Sequence, residues 1–66
     1  MSGSDEPLFD PRNFARMVDS QMHRRGVRQR EAADQIGVSR ATLCRLLAGK
    51  APAVETYLRV KKWIET

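Results

Sequence analysis

The chain has 66 residues, enough for one small domain with one modest core, and a hydrophobic fraction of 41 % that suits a folded unit. One cysteine and one histidine exclude a disulfide framework, a multi-thiolate zinc site and a Cys/His cluster; no apolar run nears the roughly 20 residues that span a bilayer. Twelve Lys and Arg against eight Asp and Glu leave a net charge of +4, and with an acidic start at Met1–Pro7 that is unlike a signal peptide, a cytoplasmic protein with a basic surface is expected.

Residues 1–9 read as a flexible acidic leader, from which Leu8 and Phe9 can tuck against the fold; residues 10–66 form the domain. Nothing alternates as a strand does, and no Asn-Gly or Asp-Gly hairpin signal occurs. Asp10-Pro11 announces the first helix, with Asp as N-cap and Pro at the first helical position. Phe14, Met17, Val18 and Met22 then share one apolar face. Gly26 ends the helix behind Arg24 and Arg25, cations that suit the C-terminal dipole.

A second helix is predicted over Gln29 to Ile36, with Ala32, Ala33 and Ile36 inward. Its N-cap, Arg28, is a poor capping residue, although Glu31 can reach back to a free amide. Gly37 stops it. Ser39 caps a third helix with Leu43 and Leu46 inward and Gly49 just past its end. After Pro52, a fourth helix over about Ala53 to Glu65 is expected to bury Val54, Leu58, Tyr57, Val60 and Ile64. The result is an all-α, compact four-helix domain with short connections.

Helices two and three are separated by little more than Gly37-Val38-Ser39. Helices joined this tightly cross at a large angle, as in a helix-turn-helix. The turn needs a residue tolerant of positive φ, and Gly37 supplies it. Close approach needs a small inner residue, Ala33, and the turn needs an apolar plug, Val38. Charge concentrates here too: residues 24–50 hold seven Arg and Lys against two acids, whereas residues 1–10 hold three acids and no base.

The segment QREAADQIGVSRATLCRLLA, residues 29–48, resembles the DNA-binding helix-turn-helix of the lambda-repressor-like, or Xre, family. Ala33, Gly37, Val38, Leu43 and Leu46 match the family's small, turn and core positions. The following GKAPAVETYLRVKKWI is similar to its loop and fourth helix, and Phe14 to Gly26 to its first. The resemblance spans about residues 11–65 and implies a lambda-repressor-like domain with a central helix-turn-helix.

Three features depart from the pattern. Arg28 replaces the usual Ser or Thr cap, so the start of helix two is expected to fray. Leu47 sits where many members carry a polar residue. The chain stops after helix four, so no small-molecule effector domain is expected.

At about 100° per residue, Arg40, Cys44, Ala48, Ala41 and Arg45 lie within one arc of helix three, the leucines lie on the opposite arc, and Thr42 lies at the border. A helix-turn-helix places the outward arc in the major groove. The resemblance implies base contacts by Arg40, Ala41, Thr42 and Arg45. It implies a phosphate contact at Gln29, which can also brace Arg40, and a backbone contact at Lys50. Arg28, Arg30, Ser39 and Cys44 are grouped with these phosphate-side positions.

Bland readings stand beside these. Arg40, Arg45 and Lys50 can be solvated cations, and Ala41 a helix former that permits close approach. Cys44 is either a small exposed residue or a thiolate steadied by the two arginines. His23 has no partner for a catalytic triad, and Met17 and Met22 read as core fillers. Trp63 caps the core or, with Tyr57 and Ala53, marks a dimer interface, and the residues leave both open.

The expected function is a sequence-specific double-stranded DNA-binding regulator of bacterial or phage type, a repressor, acting as a homodimer on an inverted repeat. The alternative is an antitoxin or adaptor module on the same fold, docking a protein partner through the Trp63 end. No paired-carboxylate pocket, nucleophile–base pair or glycine-rich phosphate loop suggests an enzyme. No cofactor or metal is expected, and the aromatic-rich apolar face of a membrane-surface helix is lacking.

Overall fold

The structure is a computed structural model and describes residues 9–66. The acidic leader up to Leu8 lies outside the described residues. Four helices follow in order: α1 (Pro11–Arg25), α2 (Gln29–Ile36), α3 (Arg40–Leu47) and α4 (Val54–Glu65), with no strand among the described residues.

Local chemistry accounts for the helix ends. The Asp10 carboxylate accepts from the amides of Arg12 at 3.0 Å and Asn13 at 3.4 Å, satisfying donors that a helix start leaves free. α2 begins at Arg28 without a side-chain cap. At its other end Gly37 has φ +91° and ψ +33°, a left-handed conformation that costs a β-carbon about 1–2 kcal/mol. The amides of Gly37 and Val38 both donate to the Ala33 carbonyl, at 2.8 and 3.1 Å. The Ser39 hydroxyl then accepts the Thr42 amide at 3.1 Å and starts α3.

The core takes Phe14, Val18 and Met22 from α1, Ala32, Ala33 and Ile36 from α2, Leu43 and Leu46 from α3, and Val60 and Trp63 from α4. α3 and α4 each pack against both α1 and α2. The alanines let α2 approach closely, and Val38 and Leu47 pack at the margin.

Two expectations are corrected, at Met17 and on the inner face of α4. Phe9 tucks against the fold as expected: its ring packs edge-on to Phe14 at 5.3 Å and Tyr57 at 5.2 Å between centroids. Met17 is 44 % exposed. It sits at one edge of the α1 face, and the small Ala15 on the other edge is buried instead.

The second correction concerns α4. Val54 and Leu58 are 75 % and 57 % exposed, because α4 turns Val60 and Trp63 inward and Leu58 lies roughly 140–160° around the helix from them. Of the two readings left open for Trp63, the structure takes the first: at only 5 % exposed it caps the core. Its indole N–H donates to Gln35 Oε1 at 2.9 Å. The Arg25 guanidinium lies 4.7 Å from the ring centroid and donates through Nη2 to the Trp63 carbonyl at 2.6 Å. Tyr57, half-buried against Phe9 and Phe14, also faces inward, and of the expected interface trio only Ala53 is exposed.

Candidate functional site

The candidate surface is built on α3. Leu43 and Leu46 are buried, so the helix cannot rotate about its axis without exposing its leucines. That fixes the opposite arc outward: Arg40, Ala41, Cys44 and Arg45 are exposed and Thr42 is half-buried. Arg40 lies in the first turn. Arg45 follows about 7.5 Å along the axis at 1.5 Å per residue. The eight-residue helix is about 12 Å long, and its two small outward residues, Ala41 and Cys44, keep the surface between the arginines low.

Ser39 holds the leading end of α3. Its hydroxyl accepts the Thr42 amide and donates to Thr42 Oγ1 at 2.8 Å. Both roles of that hydroxyl are taken up inside the protein, so of Ser39 only the backbone amide is free for an external anion. Thr42 accepts in this pair and keeps its own hydroxyl proton.

Four of the expected site residues line two separate grooves. Thr42, Arg45 and Lys50 share a groove with Leu46, Pro52 and Thr56, between α3 and the start of α4. Gln29 lies in a different groove, lined by Arg12, Arg16 and Asp19 of α1 and by Leu47–Gly49 at the end of α3. Arg40 does not line that groove. Arg28 and Arg30 are exposed around the start of α2.

Arg12 and Arg16, which line the groove with Gln29, lie outside the basic segment 24–50 and are not among the expected site residues. Their i,i+4 spacing on α1 was the available signal. The stem of Arg12 runs close to Gly49, where a β-carbon would stand 3.6 Å from Arg12 Cγ.

The surface is electrostatically unsaturated. Among the described residues the ion pairs are His23–Asp19 at 3.8 Å and Arg59–Glu55 at 3.1 Å. None involves Arg12, Arg16, Arg28, Arg30, Arg40, Arg45 or Lys50. Unpaired guanidinium groups keep their planar donor forks for a phosphate or a guanine edge. Cys44 carries a free, exposed thiol. Among the described residues no group of three His, Cys, Asp or Glu side chains is placed to hold a metal ion. No helix there is long and apolar enough to cross a membrane.

Comparison with family models, curated proteins and solved structures finds no match to this chain.

Proposed function

We propose that this protein is a sequence-specific double-stranded DNA-binding regulator of lambda-repressor-like type, a repressor rather than an enzyme, that lays α3 in the major groove. The observation that carries the reading is the polarity of α3: buried leucines on one arc, and on the other two unpaired arginines separated by small residues. A helix of this diameter fits a groove about 12 Å wide. Arg40 and Arg45 read guanine O6 and N7, the Ala41 methyl meets a thymine methyl or clears the way, and Thr42 offers a hydroxyl at the margin.

Gln29, Arg28, Arg30 and Lys50 hold phosphates, joined by Arg12 and Arg16 beside Gln29. Cys44 sits among them as a small side chain. Phosphate contacts set the register of α3, and base contacts specify sequence. One such helix reads only a few base pairs, so two copies on an inverted repeat give useful specificity. A cytoplasmic location and the absence of any cofactor belong to the same proposal. Burial of Trp63 in the core supports this reading over an adaptor that docks through the Trp63 end.

Selection of bound duplexes from random sequence, followed by binding of Arg40→Ala to single-base variants of the selected site, tests this. Arg40→Ala is expected to cost about 1–3 kcal/mol per half-site and to relax preference at one position. Gln29→Ala and Lys50→Ala are expected to weaken all sequences alike, and wild-type affinity to fall steeply with salt. Failure to enrich any sequence, or uniform weakening of every variant by Arg40→Ala, overturns the base-reading role.

A further inference from the structure

Val54 and Leu58 are the apolar side chains that α4 leaves outside, 75 % and 57 % exposed. They are spaced i,i+4 and form one short stripe. Their surroundings are charged in an ordered way. Glu55 lies roughly 60° to one side of Leu58 and Lys62 roughly 40° to the same side, at opposite ends of the helix. Lys61 and Glu65 lie on the Val54 side. All four charged residues are exposed.

We infer that this outward face of α4 pairs with the same face of a second copy, antiparallel about a two-fold axis at Leu58. Under that symmetry each residue keeps its side of the stripe and changes its end. Leu58 then meets Leu58 of the partner, and Val54 lies against the methylene stem of the partner's Lys61. Glu55 stands beside the partner's Lys62, and the symmetry repeats that opposite-charge pair at the other end. A self-complementary patch of this kind is what an isologous interface requires.

The Arg59 guanidinium engages Glu55 Oε2 at 3.1 Å within the helix. A carboxylate has further lone pairs and can accept from a second cation. The core pins the face outward, because rotating α4 to bury Leu58 would expose Val60 and Trp63.

The area sets the strength. Twelve residues make a helix about 18 Å long, and pairing two such helices buries less than the roughly 1,200 Å² of a standard stable complex. The dimer is therefore weak, with a dissociation constant of about 0.1–1 mM. The pairing is a property of the free chain and does not rest on the DNA reading, although it supplies the two-fold symmetry that reading calls for.

Sedimentation equilibrium of the DNA-free protein from about 10 μM to about 1 mM spans that range. Wild type is expected to shift from monomer to dimer across it. Leu58→Asp is expected to stay monomeric while keeping its helical circular dichroism, since Leu58 supports no part of the core. Glu55→Lys or Lys62→Glu alone sets like charges together twice per dimer and is expected to raise the dissociation constant about tenfold. The double variant is expected to return it to within about threefold of wild type. A wild type that is monomeric throughout overturns the pairing, as does dimerisation by Leu58→Asp. If dimers form but the double variant fails to recover them, the antiparallel register is wrong.

Discussion

Trp63→Phe keeps an aromatic ring at the end of the core and removes the indole N–H. The hydrogen bond lost is the 2.9 Å bond to Gln35 Oε1, half-buried and contributing about 1 kcal/mol. The smaller ring weakens the stacking of Arg25, 4.7 Å away, by about 0.5–1 kcal/mol. The space it leaves at a position only 5 % exposed adds about 1 kcal/mol. The total, about 2.5–3 kcal/mol, is large for a domain whose whole stability is about 3–10 kcal/mol at this length. It corresponds to a fall in Tm of roughly 10–20 °C.

Urea unfolding followed by far-UV circular dichroism measures this directly. Gln35→Ala alone is expected to cost about 0.5–1 kcal/mol, because water partly replaces the amide at this half-exposed bond. The double variant is expected to cost less than the sum of the singles, with a coupling of about 0.5–1 kcal/mol. Trp63→Phe within about 0.5 kcal/mol of wild type, or no coupling to Gln35, would refute the placement of Trp63 as the cap of the core. Weaker self-association with unchanged stability would instead return Trp63 to the surface.

Leu46→Ala, at 2 % exposure, is expected to cost about 2–4 kcal/mol and to leave much of the protein unfolded at physiological temperature, as a thermal melt would reveal. Ser39→Ala removes the acceptor of the Thr42 amide and is expected to cost about 1 kcal/mol; an unchanged urea midpoint would show the cap to be idle. Gly37→Ala places a β-carbon at φ +91° and 2.9 Å from Arg59 Nη1, the mobile end of a long side chain that can swing aside. Its cost is therefore expected to be the backbone term of about 1–2 kcal/mol. Gly26→Ala, at φ +66° with open space around it, is expected to match it within about 0.5 kcal/mol in the same unfolding assay.

The helix ends were legible in the chain because each is decided within a few residues. Asp10-Pro11, Gly26, Gly37 and Ser39 act through their own side chains or backbone freedom on neighbouring amides and carbonyls, and the observed α1, α2 and α3 begin or end on them. The outward arc of α3 was equally readable, since its three leucines cluster on one side and leave no second choice of inner face.

The inner face of α4 was not readable in this way. Apolar residues occur around most of its circumference: Val54 and Leu58 on one side, Tyr57 and Ile64 between, and Val60 and Trp63 opposite. Periodicity alone cannot choose among such overlapping stripes. The choice was made by what α1, α2 and the residue leading into them present: Gln35 to receive the indole N–H, Arg25 to lie over the ring and bond its carbonyl, and Phe14 with Phe9, just ahead of α1, to hold Tyr57 at the margin. Those partners lie 28 and 38 positions from Trp63 in the chain and reach it only after the helices have packed. The sequence thus determines where the helices run and which side of α3 faces solvent. Tertiary packing alone decides that Trp63 goes inside and Leu58 stays out, because the free energy of burying either depends on the cavity that other helices provide.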